Sequence, residues 1–263
     1  MICYNVIWTF EKERKDRIMM NVKIIKAKNP EEVGKLAADV FEAVIQKKPD
    51  CVLGLATGST PLPLYKELIK REKEGRISFS NVRSANLDEY KGLAPDHEQS
   101  YRYFMNTNLF NHISIKLENT IVPDGLAKEP EKMCTEYDQM IESLGGIDIQ
   151  LLGIGHDGHI GFNEPSSEFV VPTHEVQLTE MTREANARFF SSLDEVPTAA
   201  YTMGIGTVMS AKKIVMVAYG ADKAEILRKA FFGPITPEVQ ASILQLHPDV
   251  TLVADEAALS LCI

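Results

Sequence analysis

Apolar positions along this chain follow two alternating spacings. Val22 to Ala27 is a short run that reads as a strand. Asn29 and Pro30 then open a helix to about Lys47, with Val33, Leu36, Ala37, Val40 and Val44 at helical intervals. Cys51 to Ala56 is a brief continuous apolar run, as a strand buried on both faces requires. A polar turn, Thr57 to Thr60, leads to a second helix begun by Pro61 and carrying Leu64, Tyr65 and Leu68. The alternation continues with a strand at Val82 to Leu87 and helices at Ser100 to His112 and Glu129 to Leu144, the latter closed by Gly145-Gly146. The run from Ile147 to Ile154 is the clearest strand. After it the pattern predicts a helix around Glu184 to Phe190, a strand at Ile214 to Tyr219, a helix from Ala221 to Phe232 and a last strand at Val250 to Ala254.

Strand–helix alternation of this kind predicts an α/β fold: a mainly parallel sheet with helices on both faces, Rossmann-like, in one domain over residues 20–263. Residues 1–19 read as an N-terminal extension ahead of the regular pattern, and their apolar part precedes the charged run Glu11 to Arg17, the wrong order for a signal peptide. In parallel sheets of this type ligands bind beyond the carboxyl ends of the strands, so the polar stretches at those ends carry the functional expectation.

Composition narrows the field. Over 263 residues the chain is 44% hydrophobic and 25% charged, enough for a sizeable core. Its formal net charge of -9 disfavours nucleic acid and anionic membranes as partners, and no apolar run is long enough to span a bilayer. An anionic small molecule would need a local positive pocket. Cys3, Cys51, Cys134 and Cys262 show neither paired nor regular spacing, so free thiols in a reducing, cytoplasmic setting are expected.

Three clusters lie at predicted strand ends. Leu55 to Pro61 joins a strand to a helix, and its free N–H groups with the hydroxyls of Thr57, Ser59 and Thr60 suit a phosphate, with Gly58 allowing close approach. No Gly-Lys-Ser/Thr follows, so a nucleotide triphosphate is not implied. An ordinary turn capped by Thr60 is the equal alternative at this point. Asp88 and Glu89 follow the third predicted strand; adjacent side chains diverge, so one of them at most faces a shared pocket as a proton-abstracting base. Taken alone, the pair reads as a solvated acidic loop. The third cluster, Gly153 to Pro165, packs two His, an Asp and a Glu among four glycines. An imidazole between carboxylates is suited to moving protons near neutral pH. His159, beside the apolar Ile160, is the better catalytic candidate, and His156 reads as an exposed loop residue. His156-x-x-His159 with Asp157 fits a metal site poorly away from a helix or paired finger, so no metal is expected.

Together these segments resemble the glucosamine-6-phosphate deaminase family. The resemblance runs from about Met20 onward and rests on Leu53 to Pro61, Asn86 to Leu93, Ser100 to Met105 and Gly155 to Pro165. It implies that Asp88 shuttles a proton between C2 and C1 of an opened amino sugar, that His159 assists ring opening, and that Asp157 and Glu164 orient and tune His159. Thr57, Gly58, Ser59, Thr60, Arg188 and Lys223 would hold the phosphate. The chemistry it implies needs no cofactor, and no Gly-x-Gly-x-x-Gly opens a helix after the first strand. The related 6-phosphogluconolactonases share a Gly-x-Asp-Gly-His element but follow it with a small-residue and Phe-Pro pattern. Gly161-Phe-Asn-Glu-Pro165 stands here instead and favours the deaminase over a lactonase; a non-catalytic sugar-phosphate sensor is disfavoured because no DNA-binding segment or basic face is visible and the proton-transfer residues are all present. Some family members are activated hexamers that use basic residues just after Asn-Glu-Pro. Glu168 to Gln177 contains no Lys or Arg, which predicts little allosteric activation, and the short stretch after the last predicted strand, without the longer tail of the hexameric members, leans towards a monomer or small homo-oligomer.

Overall fold

The computed structural model describes residues 22–187 and 190–262. The expected extension at 1–19, Cys3 and Arg188 fall outside those residues.

Seven strands form one parallel sheet: β1 (Val22–Ala27), β2 (Val52–Leu55), β3 (Arg83–Asn86), β5 (Thr120–Ile121), β6 (Ile149–Leu152), β9 (Ile214–Ala218) and β10 (Val250–Asp255). Their order is β1-β10-β9-β6-β2-β3-β5. Every residue of β2, β6, β9 and β10 is buried, which requires cover on both faces of the sheet. The α/β expectation therefore holds, and strand bounds fall within one or two residues of the apolar runs.

Helix α1 (Pro30–Lys47) begins as its sequence demands: the Asn29 side chain accepts from the Glu32 N–H, and Pro30 occupies the first turn. It packs on α2 (Leu62–Lys73) through Gly34, where an added Cβ would lie 2.5 Å from the Pro63 carbonyl carbon. Below the sheet, Asp148 is ringed by Lys48 and Lys212, each at 2.7 Å, and accepts from the Val52 N–H at 2.8 Å. Burial works against its charge, but these donors prevail and hold the carboxyl below its usual range. Cys51 and Cys134 are buried free thiols and Cys262 is partly buried; burial pushes the Cys51 thiol up to about 12.

Strand β5, of two residues, was not foreseen, and neither was a second sheet. β4 (Asp88–Tyr90), β7 (His174–Gln177) and β8 (Ala199–Thr202) form a separate antiparallel sheet in the order β4-β8-β7. Strands of three or four residues give too short an alternation to detect. The Asp88-Glu89 pair is accordingly a buried strand and not a solvated loop: Asp88 pairs with Thr202 and Glu89 with Tyr201.

The remaining helices are α3 (Tyr101–Asn108), α4 (Pro130–Ser143), α5 (Glu180–Asn186), α6 (Ile205–Met209) and α7 (Ala224–Phe232). The expected helix at Glu184 to Phe190 starts earlier, because Thr179 caps α5 by accepting from the Thr182 N–H. Where the sequence suggests one helix from Ala221, a 3-10 turn at Ala221–Lys223 precedes α7.

The order in which successive strands are added reverses between β2 and β6, which run parallel. From β2 the chain moves outward to β3 and β5, and from β6 it moves the other way to β9 and β10. The carboxyl ends of β2 and β6 therefore flank a topological switch point, the favoured place for a ligand. Helix α2 starts there, so its placement by Gly34 matters to whatever binds. Gly34→Ala gains helix propensity but drives a methyl into backbone; we expect a net loss of about 1–3 kcal/mol in chemical denaturation.

Candidate active site

A cleft of about 360 Å³ opens at the switch point, within the size range of small-molecule sites. It is lined by Ala56 to Thr60 after β2, Leu87 and Asp88 after β3, Gly153 to Asp157, His159, Gly161 and Phe162 after β6, and Lys223 after β9. Tyr101 of α3 and Thr182 and Asn186 of α5 complete the wall. Four loops that are far apart in sequence thus meet at one place.

The β2–α2 loop is built as a cradle of donors. Its backbone N–H groups at Thr57, Gly58, Ser59 and Thr60 make no hydrogen bond among the described residues, nor do the hydroxyls of Thr57, Ser59 and Thr60. Thr60 does not cap α2; Pro61 holds the N-cap position and no side chain satisfies the first turn. Gly58 has φ +92, a conformation that glycine adopts without strain. Unsatisfied N–H groups at a helix start favour an anion. Lys223 adds positive charge at the same cleft, its Nζ donating to the Ile154 carbonyl at 2.9 Å.

Asp88 lines the same cleft and is 6% exposed. Desolvation, with a smaller contribution from the neighbouring Glu89 charge, pushes its carboxyl up to about 8. Glu89 points elsewhere, as adjacent strand residues must. Its carboxylate accepts from the N–H groups of Tyr90 and Tyr101 at 2.8 Å and Arg102 at 2.9 Å, closing the start of α3. Burial raises Glu89 too, opposed by those donors and by the Arg102 charge. Glu89 thereby fixes the helix that brings Tyr101 beside Asp88. The Tyr101 and Phe162 rings lie nearly parallel at 6.0 Å and form an apolar wall.

His159 sits on the contorted loop after β6. Its Nδ1 is 2.7 Å from Asp157 Oδ1, a close approach that is not aligned as a straight hydrogen bond, and its backbone N–H donates to the same oxygen at 3.1 Å. Burial opposes the charge on Asp157, but the contacts from His159 outweigh it and keep the carboxyl ionised below its usual range. This pairing leaves Nε2 as the ring nitrogen free to serve the cleft. Gly155 makes room for the ring: a Cβ there would lie 2.3 Å from Nδ1. His156 is exposed as expected, and its Nε2 lies 2.8 Å from Asp222 Oδ2.

Glu164 differs from its expected place. Its carboxylate accepts from the Thr179 N–H at 3.3 Å, the Thr179 hydroxyl at 3.2 Å and the Thr182 hydroxyl, and it has no hydrogen bond to His159. It therefore secures α5, whose Thr182 and Asn186 face the cleft, and does not tune the imidazole directly. The neighbouring Asn163 donates to the carbonyls of Ile160 and Met203 at 2.9 and 2.8 Å, tying the loop to the end of β8. Tyr101, Phe162, Thr182 and Asn186 escaped the sequence reading as cleft residues, although Tyr101 and Phe162 lie inside its motifs. Among the described residues no three His, Cys, Asp or Glu side chains converge as a metal site would need, and no helix is long and apolar enough to cross a membrane.

A proton-affine carboxylate, a carboxylate-oriented imidazole and an anion cradle thus share one cleft. The family profile described as glucosamine-6-phosphate isomerases/6-phosphogluconolactonase matches residues 26–250. The chain belongs to this family. A glucosamine-6-phosphate deaminase of Lachnoclostridium phytofermentans is 56% identical over 232 residues, covering 88% of this chain and 98% of the relative. A solved structure described as a monomeric glucosamine-6-phosphate deaminase is 47% identical with a TM-score of 0.88, covering 91% of this chain and 99% of the other. A 6-phosphogluconolactonase from Leishmania guyanensis shares the fold at 23% identity and a TM-score of 0.71, over 90% and 97% of the two chains.

Two outcomes test the geometry. Because the folded protein holds the Asp88 proton up to about pH 8 whereas the unfolded chain releases it at the ordinary aspartate value of about 3.9, the native state binds more protons across that window. Stability contributed by this group is present below the window and is lost as pH rises through it. Melting curves of Asp88→Asn and the unaltered protein should therefore diverge with pH, the variant gaining relative Tm from pH 5 to pH 8. In Gly155→Ala the imidazole must leave its position against Asp157, and kcat should fall by about 100-fold with the fold retained by circular dichroism.

Proposed function

We propose that this chain converts glucosamine 6-phosphate and water into fructose 6-phosphate and ammonia, in amino-sugar catabolism. The observation that carries the reading is the placement of Asp88, out of water and in the same cleft as the donor cradle and the Asp157–His159 pair. Relatives at 50–56% identity bear the deaminase name, which supports the same activity.

In this reading the phosphate lies in the 57–60 cradle with Lys223, and Arg188 is a further candidate ligand. His159, through Nε2, moves a proton at the ring oxygen or anomeric hydroxyl and opens the ring to an aldehyde at C1. Asp157 holds the imidazole in position for this transfer. The aldehyde acidifies the C2 proton. Asp88 takes that proton to give an enol-type intermediate and returns it to C1. As C1 becomes a hydroxymethyl carbon, its oxygen gains the proton that the amine nitrogen gives up, leaving an imine at C2. Water adds to the imine and ammonia departs, producing the ketose phosphate. No electron leaves or enters, so the residues on hand suffice.

Burial gives Asp88 the proton affinity that this transfer uses. A carboxylate at its ordinary value would be a weak base towards carbon, whereas one raised to about 8 lies near the working pH, where general base catalysis is most effective. Glu164 acts here as a positioning residue for α5. The described monomeric relative supports a chain that works without an activating partner subunit, and a cytoplasmic setting accords with free thiols.

A coupled assay for ammonia and fructose 6-phosphate, run with glucosamine 6-phosphate, unphosphorylated glucosamine and 6-phosphogluconolactone, checks the substrate. We expect turnover of the first, poor turnover of the second and none of the lactone; lactone hydrolysis without ammonia release would replace the deaminase by a lactonase. Asp88→Asn should lose about two to four orders of magnitude in kcat while calorimetry still detects sugar-phosphate binding. The acid limb of kcat/KM in the unaltered enzyme should fall with decreasing pH from about 8, well above the range of an ordinary carboxylate.

A further inference from the structure

The cradle has few restraints of its own. Among the described residues, three hydrogen bonds reach the backbone of residues 56–60: Tyr65 Oη to the Ala56 carbonyl at 2.5 Å, Leu62 N–H to the Ser59 carbonyl at 3.3 Å, and Tyr219 Oη to the same Ser59 carbonyl at 3.1 Å. Packing does not replace them at Gly58, where an added Cβ would meet nothing within 4 Å. The Leu62 bond is long, so Tyr219 is the shorter of the two holds on Ser59.

A trans peptide unit is planar, and its carbonyl and N–H point in opposite directions. Fixing the Ala56 carbonyl therefore fixes the Thr57 N–H, and fixing the Ser59 carbonyl fixes the Thr60 N–H. Thr57 and Thr60 both line the cleft, and neither N–H is bonded within the described protein. The two tyrosines set the two ends of the donor row.

They differ in what they tie the loop to. Tyr65 belongs to α2, the helix that the loop itself opens, so it moves with the loop. Tyr219 comes from the end of β9, on the other side of β6. Its turn is anchored separately: the Gly220 N–H donates to both oxygens of Asp255 at 3.0 and 3.1 Å, and Asp222 meets His156 at 2.8 Å. Tyr219 does not line the cleft, so it acts from behind the cradle.

We propose that the Tyr219 hydroxyl is a positioning group for substrate phosphate: by holding the Ser59 carbonyl against the β9 turn, it keeps the Thr60 N–H aimed at the anion. The role rests on the sugar-phosphate reading of the site given above. Its effect falls on binding of the phosphate and not on proton transfer at C1 and C2, because Asp88 and His159 are held by other elements.

Tyr219→Phe removes the hydroxyl alone. The experiment measures kcat and KM for glucosamine 6-phosphate, competitive inhibition by inorganic phosphate, and Tm. One hydrogen bond between neutral groups predicts that KM and the phosphate inhibition constant rise together by about three- to tenfold, with kcat and Tm kept. Unchanged values of both constants would overturn the role, and so would a variant in which kcat and Tm fall along with binding, since that marks general loosening. If inorganic phosphate fails to compete in the unaltered enzyme, the cradle reading itself fails, and the role of Tyr219 with it.

Discussion

Withdrawing one carboxylate from water is the constraint on which the rest of the site depends. A buried, unpaired carboxylate is expensive, and it responds by holding its proton more tightly. Asp88 has no cation against it among the described residues; its neighbours are the Glu89 charge, the Tyr101–Phe162 wall and Gly161. Surroundings that paired Asp88 with Lys or Arg would make it a stable anion and a poor base. The positive charge of the cleft is instead gathered at the cradle and Lys223, where a phosphate would be held, on a chain whose net charge is -9. One cleft thus carries two opposite electrostatic designs, bare for the acid and donor-rich for the anion.

The two sheets divide this work. The parallel sheet supplies the cradle, the His159 loop and the Lys223 turn from the ends of β2, β6 and β9. The antiparallel sheet supplies Asp88 from β4 and holds it through its pairing with Thr202 of β8. Thr202 also accepts from the Phe162 N–H at 3.0 Å, so the strand that pairs with the acid fixes the loop of the imidazole. A rigid link of this kind lets an acid and an imidazole from different sheets keep a constant separation, which proton transfer at adjacent carbons requires.

Much of this was legible from the sequence for identifiable reasons. Strands β2 and β9 are continuous apolar runs and α1 has an Asn-Pro start, so burial and capping both left local marks. The cradle and the His159 loop were visible because glycines and hydroxyls concentrate there. The second sheet was not, because a strand as short as Asp88–Tyr90 shows no period and its partner β8 lies more than a hundred residues away. Glu164 shows a subtler limit. Its position in the motif marked it as functional, but whether a carboxylate meets an imidazole or two threonines depends on where α5 starts, and that was set by Thr179. The resemblance implied that Glu164 tunes His159; the carboxylate instead accepts from Thr179 and Thr182.

The contacts of Asn163 and Glu164 also suggest how one scaffold can carry different chemistries. Both residues follow the His159 loop directly, yet neither lines the cleft. Asn163 ties the loop to the end of β8, the strand beside Asp88, and Glu164 fixes the start of α5 with its Thr182 and Asn186. The segment after the histidine therefore sets the distance of the acid strand and the placement of one cleft wall without touching the ligand. A chain that keeps the cradle and the Gly-x-Asp-Gly-His loop but changes this segment would still hold a sugar phosphate by its anion. It would present a different surface to the carbons at the other end, which is the end where a proton shuttle and a lactone hydrolysis part ways. Similarity at 23% identity extends to the fold; chemistry is decided by the site built upon it.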